Sequence, residues 1–528
     1  MPEPDVSSAI FAEPREEEPS WLRLPFDRIG LFLGPAVLLG WLLLADVPSL
    51  TPQAHRLAGI LLLTVIWWVT EPIPIPATGM LAVVLCVLLG AVPANDPNGP
   101  SPAETLLAPF AAPSVFFMIG GLFIGRAMAR HGLDRRIALS ILCARWAGRS
   151  PATVLASVGL GVMLISMWIS NTAATAMMYP VTVGIITVLA TGPRGGTAHF
   201  ARSPYASALL LMTAFASSVG GIATPIGTAT NVVAMGYFQR PEFFGRPVDF
   251  LRWSLVGVPL MVVIFIGLYF WLRLQAPASG LDMPALRGYL RGEYDRLGRW
   301  KAGEVGTLAV FLLVVGLWVT PGVLAVVASP EAEREFSRRC PEEVAALLAP
   351  VLLFLMPVSW RRRQFALEPS DLRQIDWGII LLFGSGLALG GLMFRTGLAE
   401  VVGRGVFDAL GTRDLWMITA VAVAAGILLS EITGNAAAAS TLLPVILATC
   451  RQAEIDPLPP LFGVTFGASF GSALPVSTPP NAIVYSSGLL PVRRMVLAGL
   501  GLDLLCAASI WVILRLAHAL GWSPFING

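Results

Sequence analysis

Four short stretches carry the residues that could do chemistry. Two are polar turns in apolar surroundings: Ser170-Asn171-Thr172 within SMWISNTAATAMMYP (166–180), and Thr433-Gly434-Asn435-Ala436 within SEITGNAAAASTLLP (430–444). The other two are dense in Gly, Pro and Thr: GGIATPIGTATN (220–231) and GSALPVSTPPN (471–481). Such density unwinds a helix and leaves its backbone groups open. Backbone and hydroxyl oxygens suit a hard cation, and N–H groups at helix starts with Asn and Thr donors suit an anion. No charged residue lies at either turn or either break, so the expected cation is one satisfied by neutral ligands, Na⁺, and the expected anion is held by dipoles and a co-bound cation. A polar group without partners is costly in an apolar medium. The turns therefore read as tips of two re-entrant hairpins facing two unwound helices.

The surrounding sequence is membrane-like. Of 528 residues 55% are hydrophobic and 13% charged. A bilayer core of about 30 Å takes roughly 20 apolar residues per helix. Runs of that kind occupy 29–45, 55–70, 75–94, 110–130, 206–236, 251–273, 303–320, 343–359, 376–396 and 495–517, while 152–191 and 415–449 are apolar with polar interruptions. The expected fold is an all-α polytopic membrane protein with about 11 transmembrane helices. A net charge of +2 gives no sign of a nucleic-acid partner, and the five cysteines are scattered without a CxxC pair. The acidic, Pro-rich start of the chain lacks the form of a signal peptide and reads as a disordered cytoplasmic tail over 1–27.

Arginine clusters at 135–149, 287–301, 361–373 and 493–494 mark the cytoplasmic side, whereas 93–108 and 518–528 carry no Lys or Arg. This predicts a cytoplasmic N-terminus, an external C-terminus, and an odd number of crossings. The segment GGLFIGRAMARHGL (120–133) aligns with SGLALGGLMFRTGL (385–398), matching Gly121 to Gly386, Gly125 to Gly390, Arg130 to Arg395 and Gly132 to Gly397. One copy precedes its arginine cluster and the other follows one, so the repeats are inverted, as in secondary transporters whose site lies where the repeats meet. Asn171 follows Leu133 by 38 positions and Asn435 follows Leu398 by 37, which ties each turn to its repeat.

These residues resemble the divalent anion:sodium symporter family, which includes INDY-type dicarboxylate and citrate transporters. SNTAATAMM (170–178) is similar to its first Ser-Asn-Thr motif and LPVSTPPNAIV (474–484) to its C-terminal signature. WWVTEPIP (67–74) and IDWGIILLFGSGLALG (375–390) resemble two further landmarks. The resemblance implies an elevator-type homodimer in the cytoplasmic (inner) membrane that takes up a small divalent organic anion with Na⁺. It implies scaffold helices over 28–134 and 303–399, transport-domain halves over 135–275 and 400–528, and a cytoplasmic linker over 276–302. It also implies one Na⁺ site from Ser166, Ser170, Asn171 and Gly227 and a second from Ser430, Thr433, Asn435 and Ser477. Substrate carboxylates would meet Ser170, Asn171, Thr172, Thr228, Gly434, Asn435, Thr478 and Pro479. The second motif departs from the family's usual Ser-Asn-Thr by reading Gly434-Asn435-Ala436, so two hydroxyls are missing and a substrate preference other than succinate is expected.

Glu71 and Glu431 lie beside or within apolar segments, where a carboxylate is a functional candidate. Glu431 reads first as a hydrogen-bonded structural group near a helix end, with proton coupling as the rival. The four histidines read as interfacial. Anion exchange, H⁺ coupling or an inorganic anion such as sulfate remain open on the same fold. An intramembrane enzyme would need a Ser/Lys or Asp/Asp pair or a His-rich metal set, none of which the sequence displays.

Overall fold

The computed structural model describes residues 26–43, 47–93, 99–191, 200–240, 243, 248–277 and 281–521. The tail over 1–25, His199 and residues 522–528 lie outside them. The first half of the chain forms α1 (Phe26–Leu43), α2 (Pro52–Thr70), α3 (Ile75–Leu88), α4 (Pro102–Leu107), α5 (Pro113–His131) and α6 (Leu133–Leu142). It continues with α7 (Pro151–Ser166), α8 (Asn171–Thr191), α9 (Pro204–Gly221), α10 (Ala229–Gln239) and α11 (Phe250–Gln275). The second half forms α12 (Met283–Arg296), α13 (Ala302–Val327), α14 (Pro330–Arg339), α15 (Glu342–Leu355), α16 (Trp377–Thr396) and α17 (Leu398–Leu410). It ends with α18 (Leu415–Ile432), α19 (Asn435–Ala453), α20 (Leu458–Gly467), α21 (Pro479–Tyr485) and α22 (Val492–Ala519). A two-stranded antiparallel ribbon, β1 (Pro357–Ser359) with β2 (Gln364–Phe365), precedes α16.

Local chemistry sets many helix ends. Ser150 accepts from the Thr153 N–H and Pro151 takes the first helical position, and Thr51-Pro52 and Ser203-Pro204 repeat the device. The repeat marker has a conformational basis: α5 ends at Gly132 with φ 71° and α16 at Gly397 with φ 80°. Left-handed backbone at a helix end favours glycine. From α5 to α11 and again from α16 to α22 the order is the same. A long helix stopped by glycine leads to a shorter one, then two helices meeting at a polar turn, a broken helix, and a long final helix.

Among the described residues, eight helices are long and apolar enough to cross a membrane, and α3, α7 and α20 are apolar but shorter. α8 and α19 count among the eight by length and composition. The helix before α8, α7, has 16 residues, roughly 24 Å, less than a hydrocarbon core. The expected 206–236 run is cut by the unwound residues 222–228, as its Gly, Pro and Thr foretold.

The halves interlock. Trp253 of α11 and Phe238 of α10 lie against Phe462 and Phe466 of α20, with ring centroids between 5.1 and 6.3 Å. In lipid such packing, rather than water exclusion, holds helices together. At one end of the bundle Arg136 of α6 donates from Nε to Glu304 of α13 at 3.0 Å, both residues being 2% exposed. The same guanidinium donates to the Gly298 and Leu297 carbonyls and lies over the Trp300 ring. At that end too, Arg126 and Arg130 of α5 converge on Asp371, in the turn Pro369–Gln374 that leads into α16, and Arg130 also pairs with Glu368.

Candidate functional site

The first turn is the junction of α7 and α8. Ser166, the last residue of α7, donates its hydroxyl to Asn171 Oδ1 at 2.8 Å, and Ser170 Oγ accepts from the Ala173 N–H, capping α8. The break in the first half folds against this junction. A Cβ on Gly221 would stand 2.3 Å from Asn171 Oδ1, and one on Gly227 would stand 2.4 Å from the Gly221 carbonyl. Only glycine fits either place. Asn231 closes the break by donating from Nδ2 to the carbonyls of Gly221 at 2.9 Å and Thr224 at 2.8 Å, and Thr224 donates to the Met167 carbonyl.

The second half repeats this construction atom for atom at its key bonds. Ser430 donates to Asn435 Oδ1 at 2.7 Å and to the Ala468 carbonyl at 3.0 Å. Asn435 donates to the Ser469 carbonyl at 3.1 Å. Asn481 donates to the carbonyls of Gly471 at 3.1 Å and Leu474 at 3.0 Å. The Asn231 bonds span 10 and 7 residues, and so do the Asn481 bonds. A Cβ on Gly471 would meet the Ser430 carbonyl at 2.6 Å. The halves then cross: α10 lies against α19, and α21 lies against α8.

The structure thus gathers Ser166, Ser170, Asn171, Gly227 and Thr228 in one place, with Ser170, Gly227 and Thr228 lining a cavity of about 240 Å³. Thr172 is exposed and is not among the residues of that wall. In the second half Ser430, Asn435 and Ser477 come together. The Thr433 hydroxyl instead turns back to the Leu429 carbonyl. Thr478 is buried and caps α21, while Pro479 at the start of that helix is exposed. Ala436 joins Trp68, Ile75 and Leu382 in a small apolar cluster, and Gly434 faces Ile75. The WWVTEPIP segment therefore supports the second turn. The neutral oxygens of Ser166 and Asn171, with the cradle that a Cβ on Gly221 or Gly227 would fill, fit a small hard cation. α8 and α10 both begin at the wall of this cavity, where the free N–H groups of helix starts suit an anion.

Two charged groups correct the expectation of an uncharged site. Glu431 reaches the second break, accepting from the Ala473 N–H at 2.7 Å, the Leu474 N–H at 3.3 Å and the Ser477 hydroxyl at 2.7 Å. It is the hydrogen-bonded carboxylate expected at a helix end, but it is also part of the site. Arg126 lines the cavity beside the first turn. Its signal was an arginine inside an apolar repeat marker, at a position where the second copy has Gly391. Asp503 went unremarked in the sequence; a single Asp inside the apolar α22 was its only sign.

Residues 28–525 match the family described as the sodium:sulfate symporter transmembrane region. The chain belongs to this family. It is 30% identical over 496 residues to the sodium-dependent dicarboxylate transporter SdcS of Staphylococcus saprophyticus, covering 93% of this chain and 91% of that one. It is 28% identical over 489 residues to SdcS of Staphylococcus aureus, covering 92% and 90%. Among solved structures, the YdaH transporter of Alcanivorax borkumensis (TM-score 0.52, 13% identity, 85% of this chain and 98% of that one) shares the fold. So does MtrF of Neisseria gonorrhoeae (TM-score 0.53, 13% identity, 85% and 96%). The two turns of this chain read Ser170-Asn171-Thr172 and Gly434-Asn435-Ala436, so the second has an asparagine flanked by no hydroxyl.

Proposed function

We propose that the protein is a secondary active transporter that couples Na⁺ entry to uptake of dicarboxylates or related divalent organic anions across the inner membrane. The observation that carries this reading is the paired turn-and-break geometry, with Ser166–Asn171 and Ser430–Asn435 as its matched centres. It is supported by the name that the SdcS relatives carry and by the sodium:sulfate description of the family. Ser166, Ser170, Asn171 and Gly227 would hold one Na⁺, and Ser430, Thr433, Asn435 and Ser477 a second. Bound Na⁺ supplies the positive charge that an anion lacks at helix starts alone. Asn171, Ser170, Thr228, Asn435 and Thr478 then orient the substrate carboxylates, with Thr172, Gly434 and Pro479 at the margin.

An elevator displacement of two inverted repeats, in a homodimer with a cytoplasmic N-terminus and external C-terminus, is the motion that this reading includes. Its support is an asymmetry between matched helices. The first turn meets α5 where Gly125 faces Ile169. The second turn shares its apolar cluster with Leu382 of α16, eight positions before Gly390, the repeat partner of Gly125. The two turns thus differ in how they meet their matched helices, as the two ends of an elevator displacement would. The cavity at the first turn is walled by Arg126, Gln374 and Asp376, at the arginine-rich end of the bundle, so this arrangement faces the cytoplasm.

The test is uptake of labelled succinate, malate and sulfate into proteoliposomes under an inward Na⁺ gradient. Accumulation of a dicarboxylate that requires Na⁺ is expected. Equal uptake in K⁺ would refute sodium coupling, and uptake of sulfate alone would refute the dicarboxylate assignment.

A further inference from the structure

The two halves differ most sharply in charge at one point. Glu431 follows Ser430 as Met167 follows Ser166. On the last helix of each half a glycine touches the break backbone: Gly257 meets the Ile222 and Ala223 carbonyls, and Gly499 meets the Ser472 carbonyl. Four residues beyond those glycines stand Met261 and Asp503. Two methionines in the first half are thus replaced by two carboxyl groups in the second.

Asp503 is 6% exposed and faces Glu431 and Ser472, yet neither of its oxygens receives a hydrogen bond. Glu431 already accepts from two N–H donors and one hydroxyl. Two carboxyl groups therefore face each other in an apolar interior, where a positive charge between them would stabilise both. Among the described residues packed around them there is none. On α22 the nearest titratable neighbour is Cys506, and α20 brings no titratable side chain. α11 meets α22 through Gly267 and Trp271. Buried, unpaired carboxylate oxygens beside a break carbonyl are the ligand type of hard cations.

We infer that Asp503, with Glu431 and the backbone at Ser472, binds a further Na⁺, separate from the two cation positions at the hairpin turns. This cation belongs to the second half alone and sits behind its break. Through the Glu431–Ser477 hydrogen bond its occupancy tightens the second turn's own cation position. The inference rests on the sodium coupling proposed above and not on which anion is carried.

The experiment compares wild type with Asp503→Asn, which keeps the shape and can still hydrogen-bond Glu431. Reversal potentials in proteoliposomes give the Na⁺-to-succinate ratio, and a luminal pH dye reports proton movement. The expected result is a ratio lower by about one Na⁺ in the variant, with a Hill coefficient for Na⁺ reduced by about one. Asp503→Glu should retain the wild-type ratio. An unchanged ratio in Asp503→Asn, or a proton flux that this variant abolishes, overturns the inference. Should the variant not fold, the wild-type ratio still decides, because no more than two Na⁺ per succinate leaves no place for this one. Absence of any Na⁺ dependence in wild type would instead mark failure of the coupling itself.

Discussion

Asn231 and Asn481 hold their breaks by the same two bonds, each donating one amide to carbonyls ten and seven residues upstream. Both side chains are at most 2% exposed. Replacing either by Ala leaves the Gly221 or Gly471 carbonyl without its donor, while the Thr224 and Leu474 carbonyls keep only a backbone N–H; a buried group left unpaired costs about 1–3 kcal/mol. Asn231→Ala and Asn481→Ala should each lower the unfolding temperature of the purified protein and abolish uptake. Thermal unfolding followed by fluorescence, beside a transport assay, checks both.

Gly390 and Tyr237 are coupled by space. A Cβ on Gly390 would lie 1.9 Å from the Tyr237 hydroxyl, which is buried and makes no hydrogen bond. Gly390→Ala should therefore slow transport strongly, and adding Tyr237→Phe should restore much of it. Tyr237→Phe alone should be nearly silent. A double variant as slow as Gly390→Ala would refute the contact.

Gly125 and Ile169 offer a direct handle on the proposed motion. A Cβ at Gly125 would stand 3.6 Å from Ile169 Cβ, inside the range of disulfide-linked cysteines. Gly125→Cys with Ile169→Cys should cross-link under mild oxidation and stop uptake until a reductant is added. Cross-linking that leaves uptake intact would show that the first turn need not leave α5.

The second turn's missing hydroxyls make a gain-of-affinity prediction. Gly434→Ser adds a Cβ 3.3 Å from the flexible tip of Ile75, which can yield. With Ala436→Thr it restores two donors, each worth roughly 1.5–3 kcal/mol when bonded to a charged carboxylate. The double variant should lower the half-saturating succinate concentration by about tenfold or more. An unchanged concentration would place these positions away from the substrate.

Asp371 supplies the pH prediction. Burial alone would raise its pKa, but the Glu368 N–H and the guanidinium groups of Arg126 and Arg130 outweigh this and hold it below the usual aspartate range. A depressed carboxylate pKa adds stability that is present above the unfolded-state value and lost as pH falls through the folded value. The protein should therefore lose thermal stability on strong acidification, and Asp371→Asn should flatten that loss while lowering stability at neutral pH. Melting temperatures across an acid series check the slope.

The sequence disclosed what depends on local composition. Glycine at 132 and 397 stood out only as matched positions of the repeat, and the helix ends they make came from the structure, whereas the Gly-Pro-Thr runs announced two breaks because backbone geometry leaves its mark on neighbouring residues. The serines and asparagines of the turns were legible for the same reason. Arg126, the Glu431 contacts and Asp503 were not, since each acts across long sequence separations: Glu431 meets Ser477, 46 residues away, and Arg126 meets Asp371 across 245. Thr433 shows the converse limit. Its hydroxyl donates to the Leu429 carbonyl on its own helix, a bond that residue type and spacing did not announce.

The anchoring of Arg136 in Glu304, the Gly298 carbonyl and the Trp300 ring makes α6 a strut fastened to α13. Whatever travel the first hairpin undergoes must then be absorbed between strut and hairpin, in residues 143–150. Gly148, at φ 69°, sits in that stretch as a ready swivel. Stiffening so short a tether would leave every ligand in place and still silence the carrier.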